Sequence, residues 1–261
     1  MDEDFSKYNG EGTVLRKAQL RMLDILIEVD SICRKHGIPY WLEGGTLLGA
    51  VRHGGFIPWD DDLDICVERK HMRKLKRILK NELPEKYIWQ DRFTDFHFPI
   101  LIAKIRDKKS YIKEDYAYQL KNNGLFLDII PVENIISSKI KDFLDYAYGH
   151  CVRTIHMGHT SFADTLLSYI CFIPTRLAVS LVRFCTIFAK KSNIGHVYGW
   201  KSYSLVPSKD IYPISEITFE GHSFLCPSNT HNYLTNLFND YMQIPSEEKR
   251  EIHTTNIDFY D

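Results

Sequence analysis

The sequence predicts an α+β protein in which a mixed sheet is flanked by helices and extended by an added helical region. Two runs of helical periodicity, residues 13–36 and 69–83, enclose a short strand and a glycine turn. Four further β-like runs follow closely, at 86–90, 98–105, 110–116 and 125–132. A long apolar block, 139–192, then reads as mainly helical. With 261 residues, 44% apolar and 26% charged, the chain is ordinary for a globular protein with a real core. That length fits one large domain or one domain with an appendage. A net charge of −1 excludes the electrostatic footprint of a bulk nucleic-acid binder.

The elements follow in order. Thr13 is an N-cap for the first helix, whose Leu15, Ala18, Met22, Leu26, Val29 and Cys33 recur at helical spacing. Gly37 ends it and Pro39 confirms the break. A strand at 40–43 leads to the pair Gly44-Gly45 and a short helical run, Thr46 to Arg52. The basic helix 69–83 turns Met72, Leu75, Leu79 and Leu83 inward and its cations to solvent. In the block 139–192, Pro174 and the arginines interrupt the apolar run, which argues against a spanning helix. Arg176, Arg183 and Lys190 recur every seven residues, as on a helix lying at an anionic membrane surface or on a core helix with one wet edge. The tail predicts a hairpin turning at Gly221-His222, a helix at 228–242 stopped by Pro245, and a polar end. Arg250 and His253 there read first as exposed residues of a polar C-terminal turn, with folding back toward a site as the alternative. The domains are therefore 1–135 as core, 136–200 as helical region, and 201–261 packing back on the core.

Chemistry concentrates in GGTLLGAVRHGGFIPWDDDLD, residues 44–64. Four of the five residues Asp60 to Asp64 are acids. Neighbouring carboxylates repel by about 4 kcal/mol at about 4 Å and an effective dielectric near 20. Such a run either diverges into water or converges on a cation. Alternation along DLDICV puts Asp62 and Asp64 on one face and Leu63, Ile65 and Val67 on the other. Two carboxylates so placed suit a hard divalent ion. The glycine turn at a helix start offers backbone N–H groups to a phosphate. Asp128 interrupts the apolar run LFLDIIPV. A buried carboxylate there needs a partner or a cation, so it is a candidate third ligand or general base. The bland alternative is an acid capping a strand end. Lys104 and Arg106 read as surface cations that could reach a phosphate there, and Arg52 and His53 are further candidate phosphate contacts. His150, Cys151, His156 and His159 match no closed zinc spacing.

These residues resemble the LicD family of phospho-alcohol transferases and, with it, the fukutin-type ribitol-phosphate transferases. The resemblance rests on YWLEGGTLLGAVRHGGFIPWDDDLDI at 40–65, KIRDKKS at 104–110, GLFLDIIPVEN at 124–134 and FNDYMQIPSEEKREIH at 238–253. Ser110 departs from it, since threonine is expected there. The resemblance implies a nucleotidyltransferase core like that of polymerase beta. It implies Gly44, Gly45 and Thr46 at the donor, and Asp62, Asp64 and Asp128 as catalytic, metal-holding acids for Mg²⁺ or Mn²⁺. It implies a CDP-activated alcohol as donor, phosphocholine first. The acceptor would be a hydroxyl on a glycan or glycolipid, such as a lipopolysaccharide or teichoic acid precursor. Two alternatives stay open: a nucleotidyltransferase using a nucleoside triphosphate, and a non-catalytic metal- or glycan-binding protein. The acidic, polar N-terminus is unlike a signal peptide. The six scattered cysteines read as reduced thiols. The expected location is cytoplasmic, with peripheral contact at the inner membrane face.

Overall fold

In a computed structural model, the described residues are 4–114, 119–157, 160–201, 205–250 and 256–260. The chain begins with a short helix, α1 (Ser6–Asn9), and the long α2 (Val14–Lys35). Thr13 caps α2 by accepting from Arg16 N. The buried stripe Ala18, Met22, Ile25, Leu26, Val29 and Cys33 is the helical periodicity seen in the sequence. β1 (Tyr40–Leu42) enters the core, and α3 (Gly44–His53) starts at the first glycine of the pair, not at Thr46. β2 (Asp64–Glu68) and the basic α4 (Arg69–Glu82) follow, with Leu75, Ile78 and Leu79 buried.

Next come β3 (Tyr87–Gln90), β4 (Ala103–Asp107), β5 (Ser110–Ile112) and β6 (Phe126–Asn134). Residues 98–102 are not strand, contrary to expectation; Pro99 has no N–H for a ladder. Residues 115 and 116 of the expected 110–116 strand lie outside the described residues. The helical region is a hairpin of α5 (Ser138–Met157) and α6 (Phe162–Phe188). Then come β7 (Asn193–His196), β8 (Val206–Pro207) and α7 (Ser208–Ile211). The hairpin of β9 (Ser215–Phe219) and β10 (His222–Cys226), α8 (Thr230–Phe238) and β11 (Ile257–Phe259) complete the chain. The hairpin turns at Glu220-Gly221, one residue early, with φ of 50° and 78°. α8 stops at Phe238 rather than 242, because Asn239 takes φ 57° well before Pro245.

The main sheet is mixed, in the order β1-β2-β6-β4-β3. β2 and β6 are parallel, while β1, β4 and β3 join antiparallel. β6 is long enough to serve two neighbours on one edge. Its first half pairs with β4, and its last residues, Val132 to Asn134, pair with β7. Cross-strand partners point to the same face. One face therefore carries Ile65, Val67, Leu127, Ile129 and Ile105, all at most 0% exposed, against which α2 and α4 pack. The opposite face carries Asp64, Cys66, Asp128, Lys104 and Arg106. Greasy and chemical functions are thus divided between the two sides of one sheet.

Candidate active site

Three charges lie in a row across three strands. Asp64 on β2 is in register with Asp128 on β6, which is in register with Lys104 on β4. Neighbouring strands lie about 4.8 Å apart, so the side chains interact directly. Lys104 Nζ is 2.8 Å from Asp128 Oδ1 and donates to Oδ2 at 3.1 Å. It also pairs with Glu114 at 3.0 Å and stands 3.2 Å above the Phe126 ring. Arg106, fully buried, extends the network to Glu114 and donates to Gln90 Oε1 and the Gly124 carbonyl. Burial would push Glu114 up, but Lys104 and Arg106 hold its carboxyl down at about 2. Neither Lys104 nor Arg106 is a loose surface cation. Both are committed to carboxylates.

α3 is fastened to this row. Asp64 N donates to Thr46 Oγ1 at 2.9 Å, and Glu43 N donates to the Asp64 carbonyl at 3.1 Å. Thr46 is buried, so it positions the acid rather than facing a ligand. The left-handed residue of the turn is Gly44, at φ 51°, not Gly45. Gly45 is required for space, because a Cβ there would stand 2.8 Å from Asp60 Oδ2. No side chain caps the N-terminus of α3. Its first turn therefore presents N–H groups and the positive end of the helix dipole beside the acids.

The acids are crowded as their spacing predicts. Burial, then Asp62 and Asp61, hold the Asp60 carboxyl well above the usual carboxylate range. Burial, then Asp62 and Asp128, do the same to Asp64. Burial raises Asp128 to about 6, against the opposing pull of Lys104. Together they form a surplus of hard oxygen donors at one place.

A raised carboxyl favours the protonated folded state. Its contribution to stability is intact below about pH 4 and is lost as pH climbs through about 6. Asp128→Asn has no such titration. Without divalent ions, the variant should gain on the native chain between pH 4.5 and 7.5 by roughly 2 kcal/mol. Chemical denaturation of both proteins at several pH values measures this. A difference independent of pH would mean that Asp128 ionises normally.

Arg52 and His53 are placed otherwise than expected for donor contacts. They end α3, roughly 12 Å of helix from Gly44. Arg52 donates to the Tyr241 carbonyl at 3.0 Å and to His53 Nε2 at 2.9 Å. His53 packs edge-on against Phe5 and Trp59, and burial lowers it to about 4. Arg250 does fold back: its guanidinium lies 4.7 Å from the Trp59 ring centre, 5.4 Å from Phe5 and 5.7 Å from Tyr8. His253 lies outside the described residues. Ser110 is buried, accepts from Leu125 N at 2.9 Å and donates to the Asp107 carbonyl, so its hydroxyl stabilises a turn.

Sequence reasoning missed a second donor set. Glu43, Cys66 and His196 bring ligand atoms within 4.8 Å of one another, a grouping compatible with a metal. The cavity beside them is about 20 Å³, room for one water-sized body. Cys66 Sγ donates to Glu43 Oε2 at 3.1 Å, and the Tyr233 hydroxyl donates to the same oxygen. Burial, then Glu43, raises the Cys66 thiol. Glu43 stood in the quoted glycine motif, but nothing in the sequence joins it to positions 66 and 196. Of the four residues without zinc spacing, Cys151 is buried on α5, His156 Nδ1 lies 2.5 Å from the Phe96 carbonyl, and His159 lies outside the described residues.

Residues 37–159 match the family described as LicD/FKTN/FKRP, nucleotidyltransferase domain. The lipopolysaccharide cholinephosphotransferase LicD of Haemophilus influenzae is 29% identical over 255 residues, covering 92% of this chain and 95% of that protein. An uncharacterized protein of Rickettsia prowazekii is 42% identical over 78 residues, 30% of this chain and 28% of its own. Human ribitol 5-phosphate transferase FKRP is 69% identical over 31 residues, 12% of this chain and 6% of its own.

Proposed function

We propose, for a chain whose residues 37–159 carry a domain of the LicD family, that it transfers phosphocholine from a CDP-activated donor to a hydroxyl of a cell-surface glycan or its lipid-linked precursor. The chain is a LicD-like phosphotransferase. The observation that carries the finer reading is the row Asp64–Asp128–Lys104 beside the uncapped start of α3. A glycine turn, paired acids and a third acid on the adjacent strand are the parts of a polymerase-beta-like nucleotidyltransferase core.

Asp62, Asp64 and Asp128 would hold magnesium or manganese, which when bound supplies charge neutralisation for the departing CMP. The N–H groups of α3 bind and orient the donor diphosphate. Gly44 and Gly45 keep side chains out of that approach. Asp128, on the strand beside Asp64, accepts the proton of the attacking hydroxyl. Lys104 fixes the orientation of Asp128. The reaction takes place on the cytoplasmic side, at the inner membrane face. Incubation with CDP-choline, CDP-ethanolamine, CDP-glycerol and CDP-ribitol, following CMP release with and without magnesium, tests this. Release should need magnesium and run fastest with CDP-choline. Pyrophosphate release from CTP in its place would make the chain a true nucleotidyltransferase.

The choice of choline rests on the relative named as a lipopolysaccharide cholinephosphotransferase.

A further inference from the structure

α6 turns an apolar face toward water as well as toward the protein. The stripe it turns inward, against α5 and the core, includes Phe172, Ala178, Val179 and Val182 together with Ser168, Thr175 and Thr186. The arc it turns outward carries Leu167, Ile170, Ile173, Leu177, Leu181 and Ile187, each 57–72% exposed. Phe143 and Tyr146 of α5 are exposed as well. At 100° per residue, the outward residues cover nearly half the circumference. That is wider than the apolar stripe a single partner helix covers. A helix built to stay in water would carry polar side chains on this outward arc.

The cations stand at the margin of this arc. Arg176 is exposed there, and Arg183 is one turn-pair further on, bound to Glu133 at 2.7 Å. Arg183 also forms a wall of a cleft of about 710 Å³, which Arg69, Arg73, Lys76 and Arg92 line over a floor including Trp89 and Pro131. An apolar arc flanked by a basic cleft is complementary to lipid tails beneath anionic headgroups.

We propose that the α5–α6 hairpin is an in-plane anchor that sets the chain on an anionic bilayer, with the outward face of α6 among the lipid tails and the basic cleft facing headgroup phosphates. α6 is long and apolar enough, by length and composition, to cross a bilayer. Its inward stripe nevertheless stays bound to the body of the protein, through Val179 in the core and Arg183 on Glu133. Lipid therefore reaches one side of the helix only. The docking stands without the enzyme reading; its use, bringing a lipid-linked acceptor to the acids, rests on it.

Flotation of the full chain with vesicles tests the surface directly. The native protein should float with phosphatidylglycerol–phosphatidylcholine vesicles and bind phosphatidylcholine alone more weakly. A carbonate wash should release it. The double variant Leu177→Asp, Leu181→Asp changes only exposed positions and should lose vesicle binding at least about tenfold while keeping its melting temperature. The proposal is overturned if the native chain ignores anionic vesicles, if the variant floats equally well, or if carbonate leaves the protein in the membrane as a spanning segment would. A dimer that resists dilution and does not float would assign the face to a second copy. CMP release with a water-soluble acceptor is measured separately. Vesicle binding without turnover would sink the transferase reading and leave the anchor standing.

Discussion

Asp64→Asn is expected to lower magnesium-dependent CMP release by about a thousandfold or more, and Asp62→Asn to do likewise. The Asp64 side chain sits where three strands and the start of α3 meet, and Asp62, just before the strand, is close enough to raise its carboxyl. An amide keeps the shape and one oxygen but loses the charge that a hard divalent ion requires. The fold should not suffer. Asp64 is held well above the usual carboxylate range by burial and by Asp62 and Asp128, so the native protein bears the cost of ionising it. The metal-free melting temperature should therefore stay level or rise at neutral pH. Magnesium should no longer raise it. A variant with near-native turnover would show that the metal is held elsewhere, and Glu43, Cys66 and His196 would be the next set to change.

Lys104→Met should cost about 3–5 kcal/mol of stability in the absence of divalent ions. Methionine fills much of the same volume against Phe126 but leaves Asp128 and Glu114 without the cation they share. Lys104 is only 2% exposed, so water does not take over its role. Asp128 should also rise further above about 6, since Lys104 is the main group holding it down. Magnesium at neutral pH should restore part of the lost stability, because an ion beside Asp128 replaces the missing charge. Denaturation midpoints with and without magnesium measure both effects. If the variant is as stable as the native chain in metal-free buffer, the Lys104 pairs are solvent-screened and contribute nothing.

Some of this was legible because local rules and tertiary structure agree. Thr13 and the stripe from Ala18 to Cys33 specify α2 with no help from the rest of the chain. Asp128 stood out because an acid in an apolar strand must find a partner, and it has found Lys104. The sequence could not reveal that Lys104 and Arg106 face inward onto carboxylates. That depends on the register of β4 against β6, which no residue of β4 encodes by itself. Glu43, Cys66 and His196 escaped for the same reason, being assembled from three distant segments. α6 lies in the stretch 139–192 that reads as mainly helical, and it ends at Phe188, before Lys190. Pro174 looked like an interruption, but the helix runs through it, and the Thr175 hydroxyl donates back to the Cys171 and Phe172 carbonyls. Proline removes one helical donor, and it need not end a helix that is packed along its length.

β6 gives the molecule a built-in ruler. Asp128 stands near its beginning, and Glu133, which grips both Arg183 of α6 and Arg69 of α4, stands five residues further on. At about 3.3 Å per residue the two are roughly 16 Å apart along a strand pinned by neighbours on both edges. A protein resting on lipid through α6 would hold its acids at a constant altitude above the bilayer. It would then decorate sugars by their height from the lipid anchor, and a longer acceptor chain would be modified at the unit that happens to hang at that level.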